Sequence, residues 1–516
     1  MPRRAVGLVV CLIGTVASPQ LSAQCPDGSA PPCRSPTRAP TPPLHNSVAV
    51  LYFDNLTRDT ADAYLADGLT DEIIARLGQI ERLQVKSRTA VARYRTATLD
   101  PSLLGRALNV SYLVNGTVRR GAARLRVTVE LLRASSGDRV WGQQYDRTDA
   151  DLLAIEADIG SAVVTAIAGR LAPAERASLS ARPTHSVAAY DHFLRGNYSL
   201  AQRSETGLDQ ALVEYQAALH LDSTFTSALS RIAYVYAFYL NFDWTIRGLP
   251  AESLLTRGMT LADRALAQDS ASSDAWMARA FLLEYRYPMT FRGVREAFER
   301  SIALNPENAE SYHQFGAALQ RLSEDSAAES AYRRALALEP TRAITLRNMG
   351  QLRVLQRDYG DALRWADSAV AADSTLVLAH VERARIRRLI GDTAGARQDA
   401  DAVQRFATAG MHRLAEAMRL LAEAAGGDTI AARAQADRSF QEMVSDSAGS
   451  GLGFRDGAYF ALALAAAGDV DRALSTLERI RRWGLLVSAF FRSPELDVLR
   501  DQPRFQRLAE EIGPPR

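Results

Sequence analysis

Lysine is nearly missing from this chain of 516 residues: Lys86 stands alone among 61 Lys and Arg. Chemistry that needs a lysine, such as a Schiff base or a Walker-type phosphate loop, has one candidate, and no glycine-rich loop stands beside it. An arginine bias of this kind is first of all a mark of GC-rich coding sequence. Cysteine is scarce too, with Cys11, Cys25 and Cys33 the full set of three. The seven histidines contain no His-x3-His pair, which removes the usual helical zinc site. No Gly-x-Ser-x-Gly elbow and no Gly-x4-Gly-Lys-Ser/Thr loop occur. A net charge of only +2 argues against a generic nucleic-acid binder, which carries a basic excess or stripe. With 47% apolar and 23% charged residues, what remains is ordinary for a soluble globular protein. Wholesale disorder, collagen and a polytopic membrane protein are excluded.

Arg3 and Arg4 precede an apolar run from Ala5 to Ala17, followed by Pro19 and Leu21-Ser22-Ala23. This is the layout of a secretory signal peptide, residues 1–23, with cleavage expected after Ala23. The run is about 13 residues long, short of the roughly 20 that span a bilayer, so no stable membrane span is expected after cleavage. Gln24 before Cys25 does not fit a lipoprotein box. In an oxidising compartment Cys25 and Cys33 are candidates for a small disulfide loop; a metal site would need more ligands than this pair has nearby. Pro36, Pro40, Pro42 and Pro43 make 24–44 a semi-rigid linker. The expected location is the periplasm or cell envelope.

From 45 to 180 the pattern is α/β. Ser47–Phe53 is a short apolar run suited to a buried strand, and Leu65, Leu69, Ile73, Leu77 and Ile80 follow at helical spacing. Leu83-Gln84-Val85 is a second strand, and Asp100-Pro101 opens a helix through Leu108. Strands follow at 111–119, 123–133 and 139–145. In the middle one Leu125, Val127, Val129 and Leu131 alternate with Arg126, Thr128 and Glu130, which buries one face only. A helix from about Asp149 to Leu171 completes the order β-α-β-α-β-β-β-α. Phe53-Asp54-Asn55, Ala66-Asp67-Gly68-Leu69, Ser87-Arg88-Thr89, Gly116-Thr117-Val118-Arg119 and Tyr145-Asp146 together resemble the TolB-amino-terminal-like, FlgO-related module. In that family the module stands directly ahead of tetratricopeptide repeats, and a winged-helix domain, a kinase or a nucleotide cyclase often precedes it. Here only the leader and linker precede Ser47. Tyr52 departs from the family's usual proline, and the resemblance implies no chemistry of its own.

From 184 to 516 the chain repeats. Tyr312, Phe315, Gly316 and Leu319, then Ala328, Tyr332, Ala335 and Pro340, occupy the signature positions of a 34-residue tetratricopeptide unit. Small residues let two helices approach and large ones fill the seam. Steps of 34 give Leu346, Met349, Gly350, Ala362 and Ala366, then His380, Ala384, Ala396 and Ala400, with Gly391-Asp392 as the helix break. Trp276, Ala280 and Phe298, and earlier Leu229, Ile232 and Ala233, extend the array backward; Phe460, Leu464, Ala473 and Leu477 form one more unit. The stretch 411–444 is helical in poorer register. About eight helix pairs and a cap from Ser493 to Ile512 are expected. The fold class is thus an α+β module followed by an all-α tetratricopeptide-repeat superhelix.

Catalytic candidates are weak. Asp67, Asp71 and Glu72 sit where acidic residues favour a helix start in any case, and Gly449–Gly453 reads as linker. No cofactor is implied. What is left is binding: tetratricopeptide arrays generally hold peptide segments along their first helices. The corresponding positions here fall on Glu310, His313, Gln320 and Arg321, on Arg347 and Gln351, and on Arg385 and Arg388. Such a groove would accept an acidic segment by bidentate pairing, against the plainer reading of a solvated face in an arginine-rich chain. Arg383 and Arg387 fall where the repeat wants apolar residues, which makes that unit irregular or shifts its register by one. The leading expectation is a non-enzymatic exported scaffold that binds a protein or peptide. The alternative is a sensor whose α/β domain binds a ligand while the repeats relay to a separate regulator.

Overall fold

The computed structural model describes residues 45–512, apart from 58–61, 93, 96–99, 122–123, 149–151, 243–245, 247–248, 286–290, 409–410, 482–488 and most of 426–453. The leader, the linker, Cys25, Cys33 and the Gly449–Gly453 run lie outside the described residues.

Six strands form one mixed sheet: β1 (Ser47–Val50), β2 (Asp54–Asn55), β3 (Gln84–Val85), β4 (Tyr112–Arg120), β5 (Leu125–Arg133) and β6 (Arg139–Arg147). The order is β3-β1-β4-β5-β6, with β2 extending the line of β1 against β4. β1 pairs in parallel with β3 and β4, while β4, β5 and β6 run as an antiparallel meander. β1 is buried on both faces, which is why it is an unbroken apolar run. On one face Val48 and Val50 join Leu125, Val127, Val129 and Leu131 beneath α1 (Ala63–Gly78) and α4 (Leu152–Ala168). On the other, Ala49 and Leu113 meet Leu104 and Leu108 of α3 (Pro101–Leu108), whose first turn Asp100 caps through Ser102 N at 2.7 Å. Three short elements were not anticipated, β2, α2 (Arg88–Ala92) and a helix after Leu171. After α5 (Pro173–Ser180) the same core continues without a break into the helices that follow.

Those helices come in pairs: α6 and α7 (Val187–Leu200, Glu205–Leu221), α8 and α9 (Thr226–Phe242, Ala251–Gln268), and α10 and α11 (Ser273–Leu283, Phe291–Leu304). Next are α12 and α13 (Ala309–Arg321, Asp325–Leu338), α14 and α15 (Ala343–Leu355, Tyr359–Ala372), and α16 and α17 (Val377–Leu389, Thr393–Phe406). α18 (His412–Ala425) is followed by a last pair, α19 and α20 (Phe454–Ala466, Val470–Ile480), a 3-10 turn at Pro494–Leu499 and α21 (Pro503–Ile512). Seven pairs are therefore complete among the described residues. The seam device is visible in α12–α13, where a Cβ on Gly316 would stand 2.7 Å from the Tyr332 ring. The turn between paired helices passes through the left-handed region, at Gly391 with φ 84° and at Ser323 and Arg357 with φ 63° and 64°.

Register in α16–α17 is regular, and the two arginines at apolar positions have a specific cause. Asp399 on α17 is buried and accepts from Arg383 (2.7 and 2.9 Å), Arg387 (2.8 Å) and His380 Nδ1 (3.0 Å). A buried charge cluster takes the place of an apolar seam.

Candidate functional site: the inner face of the repeats

First helices of successive pairs turn one edge towards the superhelix axis, and the expected contact residues lie on α12, α14 and α16. Their surroundings are denser than an open groove. Arg385 is 1% exposed. Its guanidinium donates to Glu382 (3.1 Å to each oxygen) and to Glu495 in a bidentate pair of 3.0 and 3.1 Å. Burial alone would depress the Arg385 pKa, but the two carboxylates outweigh it and the net shift is upward. Burial likewise opposes the charge on Glu495, and Arg385 holds its carboxyl below the ordinary range. Arg388 donates to the Ala466 carbonyl at 3.3 Å, and burial lowers its pKa.

Arg347 is also buried. It donates to Asn348 Oδ1 (2.8 Å), Gln351 Oε1 (3.4 Å) and the Tyr459 hydroxyl (2.5 Å). Arg321 pairs with Glu284. His313 Nδ1 lies 2.9 Å from Thr345 Oγ1, and burial, helped by nearby Arg342, lowers its pKa to about 3. The imidazole is therefore neutral. Of the sequence-derived set, Arg347 and Gln351 meet directly, and His313, Arg321, Arg347 and Gln351 line one cavity; Arg385 reaches the C-terminal segment instead, and Arg388 the last residue of α19.

That segment is what the sequence reading did not place. Ser493–Leu499 lies against the array: Glu495 fills the Arg385 fork, Asp497 accepts from Arg357 (2.8 and 3.1 Å), and Arg492 pairs with Asp325 (2.9 Å). Further across, Arg455 at the start of α19 donates to the Phe242 carbonyl at the end of α8, at 3.1 Å. The inner face is thus closed by the chain's own C-terminal helices. The alternation of Glu495 and Asp497 opposite an arginine-rich face was the available signal. Between these walls remains a cavity of about 410 Å³, with Gln320, Tyr332, Arg347, Phe242, Arg455 and Tyr459 among its lining residues.

The carboxylates of the α/β module are engaged as well. Arg95 grips Asp67 at 2.9 and 2.6 Å, and Arg88 lies 2.8 Å from Asp71, whose carboxyl burial pushes up to about 7. Tyr52 accepts from Arg88 Nε at 2.8 Å and stacks under Arg95. Behind them Glu156 accepts from Tyr190 (2.8 Å) and Arg76 (3.3 Å); burial and neighbouring Glu72 raise its pKa. Among the described residues no group of three or more His, Cys, Asp or Glu is arranged to hold a metal ion, and no helix is long and apolar enough to cross a membrane.

No protein-family profile matches the chain. It is 27% identical over 255 residues to a protein named putative adenylate cyclase 3 of Rhizobium meliloti (strain 1021). The match covers 49% of this chain and 43% of that protein, so the chain spans less than half of that relative's length. Among solved structures, the tetratricopeptide protein TTC0263 of Thermus thermophilus is similar at 17% identity, over 39% of this chain and 98% of its own, with a TM-score of 0.33. PilF of Pseudomonas aeruginosa is similar at 15% identity, over 43% and 99%, with a TM-score of 0.34. Human IFIT1, solved with m7Gppp-AAAA, is similar at 12% identity, over 63% and 76%, with a TM-score of 0.41. From residue 187 the fold is a tetratricopeptide-type superhelix. Its own helix pairs, described above, carry that assignment.

Proposed function

We propose that the chain is an exported scaffold without catalytic activity of its own, which recruits a protein partner through an acidic segment taken on the inner face of its repeats. In this reading residues 1–23 direct export to the periplasm or cell envelope, and the sheet domain is a TolB-amino-terminal-like module that anchors the first helix pair. One observation carries it: the inner face already holds an acidic segment, with Glu495 in the Arg385 fork and Asp497 on Arg357. Arginine is suited to this, since its planar fork matches a carboxylate. A partner segment of similar chemistry would compete for the rim, where Arg357 and Arg492 remain partly exposed. The cyclase named above bears on this chain only as a relative of part of its length.

The test is site-specific photo-crosslinking in the native cell. A photoreactive residue at 357 or 492 should capture a partner with an acidic contact segment, identified by mass spectrometry, and one at Val213 on the outer surface should not. Equal capture from all three positions, or none from the rim, refutes the reading.

A further inference from the structure

We infer that Glu156 holds a proton at neutral pH and that losing it loosens the junction between the sheet module and the repeats, a pH-sensitive switch built into the fold. The inference is independent of the scaffold reading, because it concerns the buried contact of α1, α4 and α6 and not the inner face. Glu156 on α4 and Tyr190 on α6 are both 0% exposed. The Tyr190 hydroxyl lies 2.8 and 2.9 Å from the two carboxyl oxygens. Its single hydrogen satisfies one of them. The second contact becomes a full hydrogen bond when the carboxyl carries a proton and donates back. The other partner of Glu156 is weaker. Arg76 on α1 reaches it at 3.3 Å and makes shorter bonds to the carbonyls of Leu179 (2.8 Å) and Ala181 (3.1 Å).

The charges on the surrounding elements do not balance. α1 brings a second acid, Glu72, one turn before Arg76, and its charge acts on Glu156. α8 brings Arg231, which pairs with Asp274 of α10 at 3.0 Å. Arg76 and Arg231 therefore face three carboxyls, Glu72, Glu156 and Asp274. Asp71, beside Glu72, has its own arginine, Arg88 at 2.8 Å. From the sheet Arg147 reaches α4 at Asp158, 3.0 Å away. α6 and α7 add the phenols of Tyr190 and Tyr215, which burial keeps neutral. With three acids on two guanidiniums, the wholly buried one takes the proton. Burial, and after it the charge of Glu72, push the Glu156 carboxyl up to about 8. Above that value the excess charge falls on α6, the first helix of the repeats. α1 packs closely there: a Cβ on Gly68 would stand 3.0 Å from Leu194. Elsewhere on α1 Arg120 and Arg195 still bind the Tyr64 hydroxyl, at 3.0 Å each, so the junction loosens and does not part.

The experiment compares the full-length protein with Glu156→Gln, whose amide keeps a donor and an acceptor for Tyr190 and so copies the protonated acid. Infrared spectra of the wild type should contain a carboxylic-acid C=O band that fades with a midpoint of about 8 and that the variant lacks. A raised acid stabilises the fold while protonated, and that stability is lost as pH rises towards the folded value. In urea, the unfolding constant of the wild type relative to the variant should therefore grow about tenfold per unit between about pH 6 and 8. Hydrogen exchange in α6, corrected for its intrinsic pH dependence, should rise about tenfold from about pH 7 to 9 in the wild type and stay flat in the variant. If Glu156→Gln does not fold, Glu72→Gln replaces it and should move the midpoint of the band to lower pH. A band that the Glu156 variant retains, a ratio of unfolding constants that ignores pH, or a midpoint unmoved in Glu72→Gln overturns the inference. So does a band that fades with no change in α6 exchange, which would leave Glu156 a buried acid and no switch.

Discussion

Asp399→Ala should be among the most damaging single changes in the repeats. Its side chain is 1% exposed, and three cationic or protonatable groups converge on it. Removing one member of a buried ion cluster costs about 3–5 kcal/mol, because the partners stay behind without a counter-charge. Two circumstances lower that figure here. Arg383 and Arg387 retain 16% and 18% side-chain exposure, and each keeps a second acidic neighbour, Asp367 at 3.2 Å and Asp392 at 3.7 Å. A loss of about 3 kcal/mol is the expected result. Asp399→Asn keeps the shape but not the charge and should cost about 2 kcal/mol. The triple change Arg383→Leu, Arg387→Met and Asp399→Leu should fall near the wild type, since a packed apolar seam is a fair exchange for a buried ion cluster. Urea unfolding followed by circular dichroism gives the total, and hydrogen exchange in α16 and α17 localises it. Burial opposes the Asp399 charge, but the hydrogen bonds from His380 and Arg383 outweigh it and hold the carboxyl below its usual range. A depressed acid stabilises the fold above its unfolded pKa, near 3.9, and that stability is lost as pH falls through the folded value. Asp399→Ala should therefore lose the corresponding part of the acid limb. A measured cost below about 1 kcal/mol for Asp399→Ala would refute this account of the two arginines.

His313 is neutral in the folded chain, while its unfolded counterpart titrates near 6.5. Its contribution is complete above that pH and is lost towards pH 3, by about 1.4 kcal/mol per unit, so His313→Gln should flatten the slope of stability between pH 6 and 4. Gly316→Ala drives a methyl into the Tyr332 ring; despite the helix-propensity gain of alanine, a net loss of about 1–2 kcal/mol is expected in thermal unfolding. Glu495→Gln leaves Arg385 buried with one carboxylate fewer and should raise protease sensitivity after Arg492 and Arg500 without melting the sheet domain, as limited trypsinolysis with peptide mapping would record. N-terminal sequencing of the protein recovered from the envelope should begin at Gln24; an intact Met1 would refute cleavage.

What the sequence made legible was local and periodic. Gly316 against Tyr332, the Gly391 break and the alternation of β5 each follow from contacts along one or two neighbouring elements. The charged seam of α16 was legible as an anomaly but not as a solution, because Asp399 lies 16 residues from Arg383 on a different helix. The closure of the inner face left only a faint signal, the acids Glu495 and Asp497 opposite an arginine-rich face. Arg385 and Glu495 are 110 residues apart, and the array's curvature, which brings them together, is a sum of small rotations that no single unit encodes. The same curvature decides that Arg347 meets Tyr459 and not solvent.

The bond from Arg455 to the Phe242 carbonyl joins residues 213 positions apart. An open solenoid unfolds by fraying, since each unit leans only on its neighbours. Tying the last pair back to the second gives this array a long-range lock, so its ends should not melt independently. The cost falls on folding speed. Contacts of such separation form late, and during synthesis the first pairs must stand as an open arc, with their inner arginines in water, until the residues that answer them have been made.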